Sequence, residues 1–308
     1  MNKKIDIIAL GSCYIDINAD NFPFSREGIP TEVELVGNSY EVVPGGSAVN
    51  FCLFSAKLGL KPAFIGMTGT DTTGGQLSSL LRGAGVQAHL VQKPELKTGV
   101  SFNMTNASGQ NIMLVAGNAN AALTPEAVLA TLEDTLGDSR ILFLGGCFKL
   151  KAFSAAFTTI TTLAKRHQVA IAIDHSRIPA ETTPEMLEAV KDLVTNADYY
   201  FPSREEFCQL WDMESIEVGL EYLHKTAPHL RVVVKDGANG AFFWENNELQ
   251  HVPGLKLDAI VDVTGAGDSF NAGVMAGLLK GLSVRDAVSY GCRVAAAKIM
   301  RDLPLPAL

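Results

Sequence analysis

The sequence has no long hydrophobic run: nowhere does it approach the roughly 20 consecutive apolar residues that a membrane-spanning helix needs. It also has no excess of positive charge, since 25 Lys and Arg residues stand against 33 Asp and Glu residues and give a net charge of -8. Such a charge repels the phosphate backbone of a nucleic acid. We therefore expect neither a membrane nor a nucleic acid as a partner.

The five cysteines are odd in number, scattered, and free of any Cys-x-x-Cys pair, so they predict neither a disulfide framework nor a zinc site. This usage is typical of the reducing cytoplasm. Internal repeats, low-complexity tracts and linkers are also lacking. With 308 residues, 47% of them hydrophobic, the chain is long enough for a large core, and we expect one domain over residues 1–308.

Short apolar segments alternate with helix-like segments, which is typical of a parallel sheet covered by helices on both faces. The predicted strands of this sheet are residues 5–10, 63–66, 141–144, 170–174, 199–201 and 231–235. The predicted helices are residues 50–58, 76–83, 153–167, 185–195, 204–211 and 215–226, with another opening at Thr124. The pattern predicts a three-layer α/β/α fold. Residues 33–43 and 98–116 lack intervening helices, and we expect them to form a small additional sheet.

The segment from Asp262 to Phe270 places glycines where a helix-compatible run begins. Because Gly265 and Gly267 have no side chains, backbone N–H groups can converge there on an anion at the positive helix end. This predicts a phosphate-binding turn. Asp268 is unusual in such a turn, because a carboxylate beside a phosphate repels it unless it accepts a proton or holds a metal. From spacing alone, a cap of the helix is the less favoured alternative for Asp268.

This segment, Asp-Val-Thr-Gly-Ala-Gly-Asp-Ser-Phe, resembles the second signature of the ribokinase/PfkB carbohydrate kinase family, with only Val263 departing from the usual wording. An upstream segment, Gly-Gly-Ser-Ala-Val-Asn ending at Asn50, is similar to the family's Gly-Gly-x-x-x-Asn element. The likeness covers about residues 5–300. It implies a ribokinase-like fold with a small β-sheet lid formed by about residues 33–43 and 98–116, which would close over the acceptor.

The resemblance also implies roles for the residues of the glycine-rich turn. Asp268 would be the base that takes the proton from a sugar hydroxyl as the hydroxyl attacks the γ-phosphate of ATP. The backbone of Gly265, Ala266 and Gly267 would form the anion hole for the transferring group, which is the stabilisation that phosphoryl transfer most needs.

Further residues would bind the two substrates. The acceptor would contact Asp16, Gly45, Gly46, Asn50 and Arg177. The nucleotide would contact Lys235, Gly237 and Gly240, together with Ser203 and Glu206, where Ser203 stands in place of the family's usual Asn. Without the resemblance, turn, cap or surface roles explain several of these residues as well, and Lys235 could be an exposed lysine at a strand end.

The resemblance implies two cations. Glu206 would organise Mg²⁺ through water. Asp262 and Thr264 lie where the family binds a monovalent cation, so K⁺ is a candidate activator.

The sequence therefore predicts an ATP- and Mg²⁺-dependent kinase that phosphorylates a hydroxymethyl group of a small sugar or sugar derivative. It leaves the acceptor open, because the residues around Arg177 resemble the fructokinase and ketodeoxygluconate kinase branches, whereas those around Asn118 look like ribokinase. A nucleoside kinase is an alternative, with Phe22, Phe24, Phe102 and Met104 as candidate apolar neighbours of a base. A catalytically silent sugar-binding regulator is another. In the family such lids often pair across a dimer, and we expect a homodimer through the lid sheet.

Overall fold

The computed structural model describes residues 3–24, 34–107, 111–301 and 305–307. Residue 33 and residues 108–110 of the two predicted lid segments lie outside the described part of the chain. Among the described residues, no helix has both the length and the apolar character to span a membrane.

The strands, in chain order, are β1 (Ile5–Gly11), β2 (Tyr14–Asp20), β3 (Ser39–Gly45), β4 (Pro62–Gly69), β5 (Gln87–Lys93), β6 (Val100–Thr105), β7 (Asn111–Ala116), β8 (Ser139–Gly145), β9 (Ala170–Asp174), β10 (Tyr199–Tyr200), β11 (Arg231–Lys235), β12 (Ala241–Glu245) and β13 (Glu248–Val252). The helices are α1 (Ser47–Lys57), α2 (Thr72–Gly83), α3 (Pro125–Leu136), α4 (Phe157–Arg166), α5 (Pro184–Thr195), α6 (Arg204–Trp211), α7 (Ile216–Thr226), α8 (Ala266–Leu279) and α9 (Val284–Met300).

A nine-stranded main sheet runs in the order β13-β12-β11-β10-β9-β8-β1-β4-β5, parallel except for the β12 and β13 hairpin. Its central strands are apolar on both faces: Ile7 and Ile8 are adjacent on β1 and both are wholly buried. Ile7 packs in a core with α1, α2, α8 and α9, and Ile8 in a core with α3 to α7. The predicted three-layer α/β/α fold is confirmed.

The sequence prediction missed several edge elements. β5 is one of them, since its residues are half exposed and show little periodicity. The hairpin of β12 and β13 is another, and it turns at Asn246 and Asn247, both with positive φ, which is a signature of a tight hairpin turn. The helix predicted over 153–167 starts later, because residues Lys151–Ala156 form a 3₁₀ helix before α4 begins.

A second sheet of four strands has the order β3-β2-β6-β7. The strand expected over 33–43 is displaced, since residues 34–38 are not strand and β3 starts at Ser39. Pairing sets these bounds: Tyr14 faces Gly45 and Asp20 faces Ser39. β2, the partner of both β3 and β6, was not predicted as a strand. It follows β1 after only two residues, so the two sheets are joined directly.

Candidate active site

The predicted site residues gather where the parallel strands of the main sheet end, the edge at which open α/β sheets bind their ligands. β9 ends there at Asp174 and β11 at Lys235, and α8 begins beside them. β1 leads from this edge into the second sheet. The fold thus brings residues from the two ends of the chain to one cleft.

Asp268 lies in the first turn of α8, after the N-cap residue Gly265. Its carboxylate oxygens accept hydrogen bonds from the Ser47 hydroxyl at 2.7 Å and from the Asn50 side-chain amide at 3.0 Å. Both donors belong to α1. Because these bonds join two helices, Asp268 is not the cap of its own helix.

Burial raises the pKa of Asp268 to about 6, and the charge of Asp174 adds to this rise, while the bonds from Ser47 and Asn50 oppose it. A carboxyl group with this pKa is mostly ionised at neutral pH, yet it accepts a proton more readily than an exposed aspartate. The local environment therefore gives Asp268 the properties of a general base.

The turn before α8 depends on Gly265, whose φ of 73° is strained for a residue with a side chain. Within the turn, the Ala266 N–H donates to the Val263 carbonyl oxygen at 3.1 Å. The amides of Gly267 and Asp268 follow in the first helical turn, where N–H groups have no acceptor four residues earlier in the helix. These N–H groups form the positive end of the helix.

Lys235, Asp174 and Asn271 form a buried cluster behind this turn. The Lys235 ammonium donates to Asp174 at 2.7 Å and to the Asn271 side-chain oxygen at 3.3 Å, and Asn271 donates to Asp174 at 2.7 Å. Burial opposes both charges, but Asp174 raises the pKa of Lys235 and Lys235 lowers that of Asp174, so the pair is ionised. A Cβ atom on Gly267 would lie 3.4 Å from the ammonium. Lys235 is therefore not an exposed strand-end lysine.

Asn271 was missed in the sequence as a member of the site. The signal was present, since Asn271 is the last polar side chain of α8 and lies between apolar residues of a buried helix.

A cavity of about 610 Å³ opens beside the turn. Five predicted residues line it: Lys235, Gly237, Gly240, Ala266 and Gly267. Its remaining walls come from the loop before α8 and from α9, and include Leu255, Lys256, Ile260, Val263, Cys292, Ala296 and Ile299. Leu255, Ile260 and Val263 are large apolar side chains left 45%, 72% and 63% exposed. Such surface favours a ligand with a flat apolar part.

Ser203 and Glu206 form a capping box at the start of α6. The Glu206 carboxylate accepts the Ser203 N–H at 2.8 Å, and the Ser203 hydroxyl accepts the Glu206 N–H at 3.3 Å. The charge of Glu206 also raises the pKa of Lys235. Within the described residues, no group of three or more His, Cys, Asp or Glu is placed to hold a metal ion.

Asp16 lies on β2 over Gly45, where a Cβ atom would come 2.0 Å from the Asp16 carboxylate. Burial raises the pKa of Asp16 to about 6, against the opposing effects of Lys149 and Ser101. Gly46 is the N-cap of α1, so the same turn positions Asp16, Ser47 and Asn50. The crossing from β1 to β2 is fixed by Asn120, whose side chain bonds both the N–H and the carbonyl of Cys13.

The second sheet has one polar and one apolar face. Asp16 is paired with Ser101, and Asn18 with Asn103, so these four polar side chains share a face. The alternate positions Val42, Ile17, Phe102 and Leu114 form a row across the other face. Phe102 and Met104 therefore point away from Asp16, and Phe22 lines the same groove as these two residues.

Lys149 is a cation that the sequence prediction missed. It lies over the Tyr14 ring, 5.4 Å from the centroid. Burial is the main cause that lowers the pKa of Lys149. The charge of Arg177 lowers it as well, whereas the charges of Asp16 and Asp268 oppose the shift. Arg177 is exposed and makes no ion pair within the described part of the chain. Two cations therefore lie on the Asp16 side of Asp268.

Asp262, predicted to help bind a monovalent cation, is already engaged by side chains of the C-terminal region. The Lys298 ammonium donates to the Asp262 carboxylate at 2.6 Å and to its backbone carbonyl at 3.0 Å. Arg301 donates to the same carboxylate at 3.0 Å and to Glu41 of β3 at 3.1 Å. Burial raises the pKa of Asp262, but the bonds from Lys298, Arg301 and the Thr264 N–H outweigh it and lower this pKa to about 2.

Solved structures share this fold. The ribokinase of Thermotoga maritima matches with a TM-score of 0.76 and 27% identity, over 98% of this chain and 96% of that one. An E. coli protein assigned as a ribokinase II, determined in complex with ATP and Mg²⁺, gives a TM-score of 0.83 at 24% identity, over 98% and 94%. The fold and the cleft thus define a kinase of the ribokinase-like class.

Sequence comparison identifies the family to which the chain belongs within this class. Residues 4–303 match the pfkB family carbohydrate kinase profile, and the chain belongs to that family of sugar kinases. It is 29% identical to the 5-dehydro-2-deoxygluconokinase of Halalkalibacterium halodurans, over 94% of this chain and 87% of that one. It is 26% identical to the ribokinase of Haemophilus influenzae, over 98% and 94%.

Proposed function

We propose that this sugar kinase transfers the γ-phosphate of ATP to a hydroxymethyl group of a small sugar acid, with Asp268 as the base. The observation that carries the proposal is the position of the Asp268 carboxylate. Ser47 and Asn50 hold it at the amino end of α8, between the apolar cavity and the polar face of the second sheet. A hydroxyl group and a phosphate that meet there would be in contact with both a base and a helix start.

In the reaction, the acceptor oxygen forms a bond to the γ-phosphorus while the bond to the bridging oxygen of ADP breaks. The hydroxyl proton passes to Asp268. Charge that develops on the transferring group is stabilised by the turn of Gly265, Ala266 and Gly267 and by the helix dipole. The Lys235 ammonium behind Gly267 adds a positive charge in a buried setting.

The cavity of about 610 Å³ suits ATP, with the base against the apolar walls. Gly237 and Gly240 leave room for close approach, and Lys256 stands at the mouth for the phosphates. Mg²⁺ would be held mainly by the phosphates, with Glu206 as its outer partner through water, and would offset negative charge in the transfer. One Glu206 oxygen is already used in the capping box, which fits an indirect role.

The acceptor would bind between Asp268 and the polar face of the second sheet. Asp16 and Asn50 supply hydrogen-bonding groups for hydroxyls, and Gly45 leaves room for the Asp16 carboxylate. Arg177 favours an acceptor that carries a negative group, because it is exposed and no carboxylate pairs with it within the described residues. The name of the H. halodurans relative points to the same class of acceptor.

The second sheet would act as the lid that was predicted over 33–43 and 98–116, with β2 as a further strand. Closure would exclude water, which otherwise competes as phosphoryl acceptor. Its apolar face would pair with a second copy of the chain, since Tyr40, Phe102 and Leu114 are 73%, 44% and 51% exposed. A groove of about 390 Å³ lies on this face.

The test is ADP release with Mg·ATP and a panel of 5-dehydro-2-deoxygluconate, 2-dehydro-3-deoxygluconate, ribose, fructose and adenosine. We expect turnover with a sugar acid and a loss of about 10²- to 10⁴-fold in Asp268→Asn. The matched control is Asp286→Asn, because Asp286 occupies the same helical position in α9 but lies outside the cleft.

Full turnover by Asp268→Asn would refute the assignment of the base. Turnover with ribose or adenosine alone would refute the sugar-acid acceptor. ATP binding in calorimetry without ADP release for any acceptor would instead support the silent regulator.

A further inference from the structure

We propose that the Lys298 ammonium takes the place of the monovalent cation at the loop before α8, so that this kinase does not respond to K⁺. The inference deepens the proposed function, because it concerns the loop that shapes the phosphate-binding turn. Lys298 is argued here to be a positioning residue, since it contacts the loop and not the reacting atoms.

Two of the Asp262 oxygens at this loop are bound by Lys298. Its ammonium lies 3.0 Å from the Asp262 carbonyl and 2.6 Å from the Asp262 carboxylate, and its side chain is only 13% exposed. The other carboxylate oxygen accepts the Thr264 N–H at 2.8 Å. A K⁺ ion needs several such oxygens at once, so the donor set does not fit a second cation.

The charge balance around Asp262 also disfavours a K⁺ ion at this loop. Lys298 and Arg301 carry two positive charges, and Asp262 and Glu41 carry two negative charges, all joined by contacts of 2.6 to 3.1 Å. These four side chains are balanced. An added K⁺ would meet the Lys298 charge at close range without a free carboxylate to offset it.

The contacts also explain what the ammonium does. The N–H groups of Val261 and Asp262 both donate to the Ile299 carbonyl, at 3.1 and 3.2 Å, next to Lys298 in α9. The loop is therefore fixed to the end of α9 by both backbone and side chain. Val263, whose carbonyl accepts the Ala266 N–H, follows directly, so a shift of Asp262 would move the turn that holds the phosphate.

The experiment compares KCl, NaCl and choline chloride at one ionic strength of about 0.1 M, where screening is equal. For the wild type we expect turnover and melting temperature to be the same within about twofold and about 1 °C in all three salts. For Lys298→Ala we expect turnover in choline to fall about 10- to 100-fold. KCl should then restore much of the turnover and raise the melting temperature by about 2–4 °C.

Lys191→Ala is the control, because it removes an exposed helical lysine that pairs with Glu188 at 2.8 Å far from this loop. It should leave every salt response unchanged. If Lys298→Ala does not fold, Lys298→Gln keeps a stem and a donor but no charge, and the same response is expected.

Stimulation of the wild type by K⁺ over choline would overturn the proposal. So would a Lys298 variant that responds to K⁺ neither in melting nor in turnover. The melting arm needs no acceptor, so a failure to find the sugar substrate does not affect it. The two proposals can therefore fail separately.

Discussion

At the residue scale, two carboxyl groups of the cleft have unusually high pKa values for the same reason. Asp268 and Asp16 are both taken out of water, and burial raises each pKa to about 6. Neighbouring groups that donate hydrogen bonds stabilise the ionised forms, and for Asp268 these donors are Ser47 and Asn50. The cleft therefore holds carboxylates that charge and discharge close to neutral pH.

This predicts a pH dependence of kcat/KM. A base works only when it is unprotonated, and a raised pKa moves its protonation upward, so activity should be complete above about pH 7 and fall as pH drops through about 6. Protonation of Asp16 in the same range should make the fall steeper than tenfold per pH unit. The measurement is kcat/KM from pH 5 to 8, with far-UV circular dichroism to show that the fold persists. Constant kcat/KM down to pH 5 would contradict the assignment.

Single residues also show where sequence reasoning stops. The spacing of glycines and a carboxylate predicted Asp268 and its turn, because those features are local. Ser47 as the partner of Asp268, and Asn271 and Asp174 as partners of Lys235, could not be predicted. Their contacts join segments far apart in the chain, and only the packing of α1 on α8 and of β9 beside β11 brings them together.

At the element scale, α8 and α9 are packed closely enough for backbone contact. A Cβ atom on Gly273 would lie 2.9 Å from the Cα of Gly291, and one on Gly291 would lie 2.6 Å from a Val274 methyl group. Asp268 lies in the first turn of α8 and Lys298 in the last turn of α9. The spacing of the two helices therefore sets the position of the turn before α8 relative to its contacts with α9.

Gly291→Ala should accordingly destabilise the protein. The added methyl group meets the Phe270 carbonyl at 2.9 Å as well as Val274, and overpacking of this kind costs about 1–3 kcal/mol. Gly75→Ala in α2 is the control: nothing lies within 4 Å of its Cβ position, so the change should be neutral or stabilise by about 0.5–1 kcal/mol. Chemical denaturation measures both. Equal free energies of unfolding for the two variants would contradict the packing argument.

Helices and strands were predicted correctly where the hydrophobic pattern is strong and the residues are buried. The apolar runs of β1, β8 and β9 predict strands that are covered on both faces. β2 and β5 mix polar and apolar residues, so the pattern alone did not identify them. β2 has a polar side that faces the cleft, and β5 lies at the edge of the main sheet.

At the scale of the whole molecule, the second sheet separates two tasks by face. Its polar face lies with Asp16 at the cleft. On its apolar face Ile17 and Val42 pack against the main core, whereas Tyr40, Phe102 and Leu114 are exposed. Exposed apolar surface of this kind is typical of contact between protein chains. The sequence suggested the dimer through the resemblance to a family whose lids often pair and through the half-exposed character of 33–43. The register of the four strands defines which side chains would meet.

Leu114→Glu should therefore convert a dimer to a monomer, because it places a charge in the apolar row. Val115→Glu is its control, since the next residue of the same edge strand points to the opposite face. Light scattering at micromolar concentration gives the mass of each. A wild type that is monomeric, or a Leu114→Glu variant that stays dimeric, would exclude this interface.

The hydrogen bonds that hold Asp268 have a consequence for how the chain reaches its native state. They join residues that are 221 and 218 positions apart in sequence. In the same way, β1 has paired strands on both sides only after β8 has been added. Contacts of such long range place the domain among slowly folding topologies. On a ribosome, α1 emerges long before α8 and meanwhile exposes Val49, Phe51 and Cys52, which are wholly buried in the finished protein. The cleft is thus completed only when almost the entire chain has been synthesised.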